Sequence, residues 1–147
     1  MAKIDLKALE QHFADEWNKG KAALLAVIDK TCANNIVFHS ALGKETRGIN
    51  ELKQFMSALC DAIPDTHVTT EDMVAEGDTV AYRYTLTGTH KGEFMGIPAT
   101  NKKVAIWILA IDHFAGAKMV EGWGRFDTLG FMQQLGVVPM PGTKKVN

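Results

Sequence analysis

Residues 49–90 read INELKQFMSALCDAIPDTHVTTEDMVAEGDTVAYRYTLTGTH, and a change of hydrophobic period inside this stretch decides the fold. Ile49, Leu52, Met56, Leu59 and Ile63 follow a 3-4-3-4 spacing, which is the apolar stripe of an amphipathic helix. Pro64 ends it, because the residue before a proline is pushed out of the helical region. Beyond Pro64-Asp65 the residues become β-branched and aromatic and the period drops to two. His67 to Ala75 predicts one strand, Gly77-Asp78 a tight turn, and Thr79 to about His90 a second strand carrying Val80, Tyr82, Tyr84 and Leu86.

The same two periods extend outward. Upstream, Leu6, Leu9, Phe13 and Trp17 share a helical face, with Asp5 as a cap and Gly20 as a stop. A second helix is expected from Lys21 to about Lys30, then a short β-like run from Asn35 to His39, and Ser40 to Gly48 reads as loop. Downstream, Gly92 to Asn101 is a loop, Lys103 to Phe114 a long strand, Ala115-Gly116 a turn and Lys118 to Asp127 a further strand. A short apolar segment, Leu129 to Leu135, stops at Gly136. Helices first and an antiparallel meander afterwards make an α+β pattern, with the helices packed on one face of the sheet. The expectation is one domain over residues 1–138, with 139–147 a flexible tail.

Composition narrows the function classes. The chain has 147 residues, 46% of them hydrophobic, and 16 basic against 17 acidic side chains give a formal net charge of -1. Such a chain folds on its own core and has no basic stripe to gather phosphates, so neither nucleic acid nor a membrane surface is expected as a partner. Cys32 and Cys60 read as free thiols, and the absence of an apolar leader or spanning run points to a cytoplasmic protein.

The last strand carries the most suggestive side chains. Under regular alternation Met119, Glu121, Trp123, Arg125 and Asp127 share one face, opposite Val120, Gly122, Gly124 and Phe126. If helices cover the first face it becomes a cavity wall, and a carboxylate there is pushed towards neutral pKa by desolvation and can shuttle a proton. Asp127 also has a simpler reading, as N-cap of the segment opening at Thr128-Leu129. Glu121 fits either a structural ion pair or a functional role, and Arg125 either opposes the desolvation of Asp127 or waits for a developing oxyanion. His39 and His113 end or nearly end apolar strands and are placed to look into a pocket. No His-Glu-x-x-His, paired Cys-x-x-Cys, Gly-x-Ser-x-Gly, P-loop or dinucleotide fingerprint occurs, so no metal or nucleotide cofactor is expected. The aromatic set Phe13, Trp17, Tyr82, Tyr84, Trp107 and Trp123 fills a core or lines an apolar cavity.

Gly88-Thr89-His90-Lys91-Gly92-Glu93-Phe94-Met95-Gly96-Ile97-Pro98-Ala99-Thr100, Lys118-Met119-Val120-Glu121-Gly122-Trp123, Phe126-Asp127-Thr128-Leu129-Gly130 and the closing Gln133-Gln134-Leu135-Gly136 together resemble the SnoaL-like polyketide cyclases. The resemblance covers most of the chain. It implies a cone-shaped α+β barrel of the nuclear transport factor 2-like type around a deep apolar cavity. It also implies a cofactor-free intramolecular aldol condensation on a small apolar carbonyl or polyketide-like compound, and homodimers or larger assemblies formed through the outer face of the sheet. Asp127 matches the family's acid/base and His113 a cavity-facing histidine; His39, Trp17, Tyr84, Trp123, Arg125 and Glu121 would shape the site and bind substrate. The chain departs from the family at Pro98-Ala99-Thr100-Asn101, where many members have Pro-Pro-Thr-Gly, and at Arg125, which replaces a commonly apolar residue.

Two other readings stay open. The same cone can hold a small apolar ligand without turning it over. A ketosteroid-isomerase-like proton shuttle or an epoxide hydrolase is the second, the latter requiring an Asp-Arg-Asp set of which Arg125 and Asp127 supply two members. An Asp127 that caps a helix and points to solvent favours the binding reading.

Overall fold

The computed structural model describes residues 3–41 and 43–142. Two helices open the chain, α1 (Leu6–Trp17) and α2 (Lys21–Thr31), followed by β1 (Cys32–His39), β2 (Glu45–Arg47) and α3 (Ile49–Ala62). The meander then runs through β3 (His67–Glu76), β4 (Thr79–Thr89), β5 (Lys103–Ala115) and β6 (Lys118–Phe126), and α4 (Thr128–Gln134) closes the described fold. The six strands form one open mixed sheet in the order β2-β1-β6-β5-β4-β3. All pairings are antiparallel except β1 with β6.

Two features escape the sequence pattern. β1 begins at Cys32 rather than Asn35, and the expected loop 40–48 contains the short edge strand β2, paired Val37 to Arg47 and His39 to Glu45. Neither segment shows alternation strong enough to be read alone, since Asn34 and Asn35 interrupt the first and the second has only three residues. The end of the tail, residues 143–147, lies outside the described residues.

Asp5 caps α1, its side chain accepting from the Ala8 N–H at 3.1 Å. The helix buries Leu6, Glu10, Ala14 and Trp17, one face of a 3.6-residue period with a carboxylate in the middle of it. Gly77 at φ 57 makes the tight β3–β4 turn that an L side chain would strain. Leu24, Ile28, Leu52 and Met56 from α2 and α3 pack with Val80, Tyr84, Leu86, Val104 and Ile106 of the sheet, so the helices fill the concave face of a cone. At the far end Gln134 of α4 pairs with the Ala105 backbone in both directions, 2.8 and 2.9 Å, and so extends β5 like a further strand residue.

The two glycines of β6 are spacers. A Cβ on Gly124 would lie 2.8 Å from the Phe38 ring, and one on Gly122 only 2.4 Å from Asp112 Oδ1. Gly122→Ala is therefore expected to displace the Asp112 carboxyl and cost about 1–3 kcal/mol in denaturant unfolding, whereas an unchanged midpoint would show that the carboxyl moves aside freely.

Candidate functional site

Alternation along β5 and β4 decides what faces the helices. Val104, Ile106, Ala110, Asp112 and Phe114 are buried on the inward side of β5, with Tyr84 and Leu86 beside them on β4. This side borders a cavity of about 120 Å³. Phe13 and Trp17 of α1, Phe55 and Met56 of α3, Phe38, Tyr82, Tyr84, Phe94, Phe126 and Phe131 line it, and Asp112 is the acidic side chain in that wall.

Asp112 is 1% exposed and Glu10 of α1 equally so. The Tyr82 hydroxyl donates to Asp112 Oδ2 at 2.9 Å, while no other N–H or hydroxyl donates to Asp112 Oδ1 or to either Glu10 carboxyl oxygen, so the two carboxyls have only each other as partners there. Two adjacent buried carboxylates without a counter-ion cannot both stay charged. Burial raises Glu10 far above the usual carboxylate range and the Asp112 charge raises it further, so Glu10 keeps its proton and donates it to Asp112. Burial raises Asp112 as well, against the lowering effect of hydrogen bonds from Glu10 and Tyr82 and of the nearby His113. Burial holds the Tyr82 and Tyr84 phenols protonated, and the two carboxyls reinforce this. The result is a one-proton carboxyl pair at the wall of an aromatic cavity, with Asp112 as the member that ionises.

The expected site residues fall into two groups. Trp17 and Tyr84 line the cavity, and the Tyr84 hydroxyl donates a long 3.4 Å bond to the Glu10 carbonyl. His39, His113, Glu121 and Trp123 do not reach the interior. Val120 is an extra residue opposite the His113/Phe114 step, a bulge that turns Met119 inward and leaves Glu121, Trp123 and Arg125 on the outer face. There His39 Nε2 meets Glu121 Oε2 at 2.9 Å and Nδ1 meets Glu45 Oε1 at 3.0 Å. Its ring stacks on Trp123 at 5.0 Å, and His113 meets the same indole edge-on at 4.9 Å. Arg125 is exposed and borders the cavity at the end of β1, its Nη1 held by the His39 and Gly124 carbonyls at 3.1 and 2.9 Å.

Asp127 is exposed and caps α4, accepting from the Gly130 N–H at 2.9 Å. It is not brought together with His113, which pairs with Glu121, six residues and about 20 Å back along the strand direction. The cap outweighs the cavity at this position because β6 ends at Phe126, and the free amides of α4 are the nearest donors. With Arg125 and Asp127 both turned to solvent, they assemble no Asp-Arg-Asp set around the cavity.

Glu10 and Asp112 escaped the sequence reading although each leaves a signal. Glu10 stands one helical turn from Leu6 and from Ala14 within the apolar stripe, and Asp112 continues the period-two series Ile106, Ile108, Ala110. A carboxylate that falls on the buried phase of an apolar repeat is the mark to look for. Among the described residues no three of His, Cys, Asp and Glu are grouped so as to hold a metal ion. No helix among them is long and apolar enough to cross a membrane.

An open, strongly curved sheet wrapped with its helices around one aromatic cavity places the chain in the class of cone-shaped ketosteroid-isomerase-like α+β folds. A protein of that fold from Catenulispora acidiphila, solved in complex with trimethylamine, superposes with a TM-score of 0.72 at 17% identity over 88% of this chain and 93% of that one. Within the class the chain belongs to the SnoaL-like polyketide cyclase family, whose model matches residues 7–135. It is similar to AclR, a proposed hydroxylase from Streptomyces galilaeus, at 31% identity and TM-score 0.78, covering 90% of this chain and 96% of AclR. It is also similar to IdmH, a proposed polyketide cyclase from Streptomyces antibioticus, at 25% identity and TM-score 0.75, covering 89% and 98% of the two chains. No curated protein matches the sequence at a comparable level of significance.

Proposed function

We propose that this chain is a cofactor-free acid/base enzyme of the SnoaL-like class, closing or rearranging a small apolar carbonyl compound by intramolecular aldol chemistry. The exposed helix-capping Asp127 taken alone favours the binding reading; the observation that carries the acid/base reading instead is Asp112, a buried carboxyl at the wall of an aromatic cavity, bonded to Tyr82 and sharing a proton with Glu10. In the reaction Asp112 takes a proton from the carbon α to a carbonyl; the C–H bond breaks, an O–H bond forms on the Asp112 carboxylate, and the electron pair moves to the enolate oxygen. The enolate carbon attacks a second carbonyl of the same molecule, forming the C–C bond, and the new alkoxide recovers the proton from Asp112. Nothing is oxidised or reduced, and no co-reactant is consumed. Glu10 stays protonated throughout and keeps the Asp112 charge from being met by a second anion.

The assay is conversion of an aromatic keto-ester to a cyclic isomer of unchanged mass, followed by NMR without added metal or cofactor. Ring closure above the uncatalysed rate supports the reading. A ligand that binds and stays chemically intact over long incubation replaces it with the non-catalytic binding reading.

The same proposal extends to assembly. Val74, Trp107, Leu109 and Ile111 stand 65, 60, 56 and 44% exposed on the outer face of the sheet, an apolar surface of the kind two copies bury between them. Leu109→Glu is expected to shift a dimer to monomer in analytical ultracentrifugation; a wild-type chain that sediments as a monomer overturns this.

A further inference from the structure

The size and charge of the cavity name the class of compound it takes, an inference that rests on the acid/base reading above. We propose that the ligand is a neutral carbonyl compound built on a single ring, and is not a multi-ring polyketide.

Volume comes first. The cavity holds about 120 Å³. An apolar protein cavity of about 150 Å³ accommodates benzene, whereas pockets for drug-sized ligands run from about 300 to 1,000 Å³. One substituted ring therefore fits, with its edges and faces against Phe13, Phe38 and Phe55. Charge comes second. The Glu10–Asp112 pair already places one negative charge at the wall, and the basic side chain bordering the cavity, Arg125, has its guanidinium held by two backbone carbonyls. An anionic ligand would meet repulsion from that buried charge, while the Arg125 cation at the cavity border is exposed and screened by solvent.

The test is a binding series with four probes: 4-methoxyacetophenone, acetophenone, 4-acetylbenzoate and a four-ring anthracyclinone ester. Trp107→Phe/Trp123→Phe leaves Trp17 as the only fluorescent indole, so quenching reports cavity occupancy, and calorimetry on the wild-type chain gives an independent affinity. The neutral single-ring ketone is expected to bind at least tenfold more tightly than either the benzoate anion or the four-ring ester. Equal or tighter binding of the four-ring ester overturns the size class, equal binding of the benzoate overturns the charge class, and no Trp17 quenching by any probe overturns the ligand class altogether. Failure of the two readings is separable: binding of the single-ring ketone without turnover sinks the acid/base reading alone, and Asp112-dependent turnover of the four-ring ester sinks the ligand class alone.

Discussion

Asp112→Asn lowers turnover about 10²–10⁴-fold, the usual contribution of a positioned acid/base, while Asp127→Asn leaves it within about twofold. The contrast follows from where each carboxyl sits. Asp112 is 1% exposed, accepts a 2.9 Å bond from Tyr82 and borders the cavity. Asp127 is spent on the first turn of α4, accepting from Gly130. Asparagine is as good an N-cap as aspartate, so Asp127→Asn also leaves stability unchanged, whereas Asp127→Ala costs about 1 kcal/mol. In Asp112→Asn the new amide oxygen can still accept from Tyr82 and a buried charge is removed, so the fold is expected to persist at neutral pH and the lost rate to be a loss of chemistry. Steady-state kinetics on the three variants, with thermal melts of each, check this. A large loss in Asp127→Asn with a fully active Asp112→Asn would return the acid/base role to the end of β6.

Glu10→Gln is expected to raise the melting temperature by about 5–10 °C at pH 8–9 and to leave it unchanged near pH 4. In the folded chain burial, and secondarily the Asp112 charge, raise the Glu10 pKa. Below the ordinary carboxylate value of about 4.3 the folded and unfolded chains are both protonated there. As pH rises past that value the unfolded chain releases the proton and the folded chain retains it, so stability falls with pH until the raised folded pKa is reached. Asp112, also raised, adds a slope of the same sign. Each pKa unit of difference is worth about 1.4 kcal/mol, and in a domain of this size about 1 kcal/mol moves the midpoint by roughly 2–4 °C. Glutamine keeps an N–H donor for Asp112 and cannot ionise, which removes the Glu10 share of the slope. Thermal unfolding of both proteins from pH 4 to 9 decides it. Parallel curves across the whole range would contradict a protonated Glu10 beside a charged Asp112.

The sequence pattern carries the architecture well and the chemistry less so. The stripe from Ile49 to Ile63, the Pro64 stop and the alternation from His67 onward locate α3 and the meander almost to the residue, because period and punctuation are local properties. The resemblance carried by 88–100, 118–130 and 133–136 located the family. The face of β6 could not be read in the same way: one bulge at Val120 inverts it, and a bulge is set by the partner strand. That inversion moved Glu121, Trp123 and Arg125 out of the interior and made Gly122 and Gly124 the inward positions, where they leave room for Asp112 and Phe38. Glu10 and Asp112 come from opposite ends of the chain, and their pairing depends on α1 lying across the sheet. Each was visible alone as a misplaced charge on an apolar repeat; only the fold places them together.

Exchange of hydrogen for deuterium at the carbon α to the carbonyl tests the central claim most directly. The measurement is NMR of 4-methoxyacetophenone in D₂O with the wild-type chain, Asp112→Asn and Asp127→Asn. It reads proton removal before any ring closes. Asp112 predicts methyl-group deuteration accelerated equally by the wild-type chain and Asp127→Asn, and reduced to the background rate by Asp112→Asn. Acceleration by Asp112→Asn equal to that of the wild-type chain would contradict the assignment of the proton to Asp112.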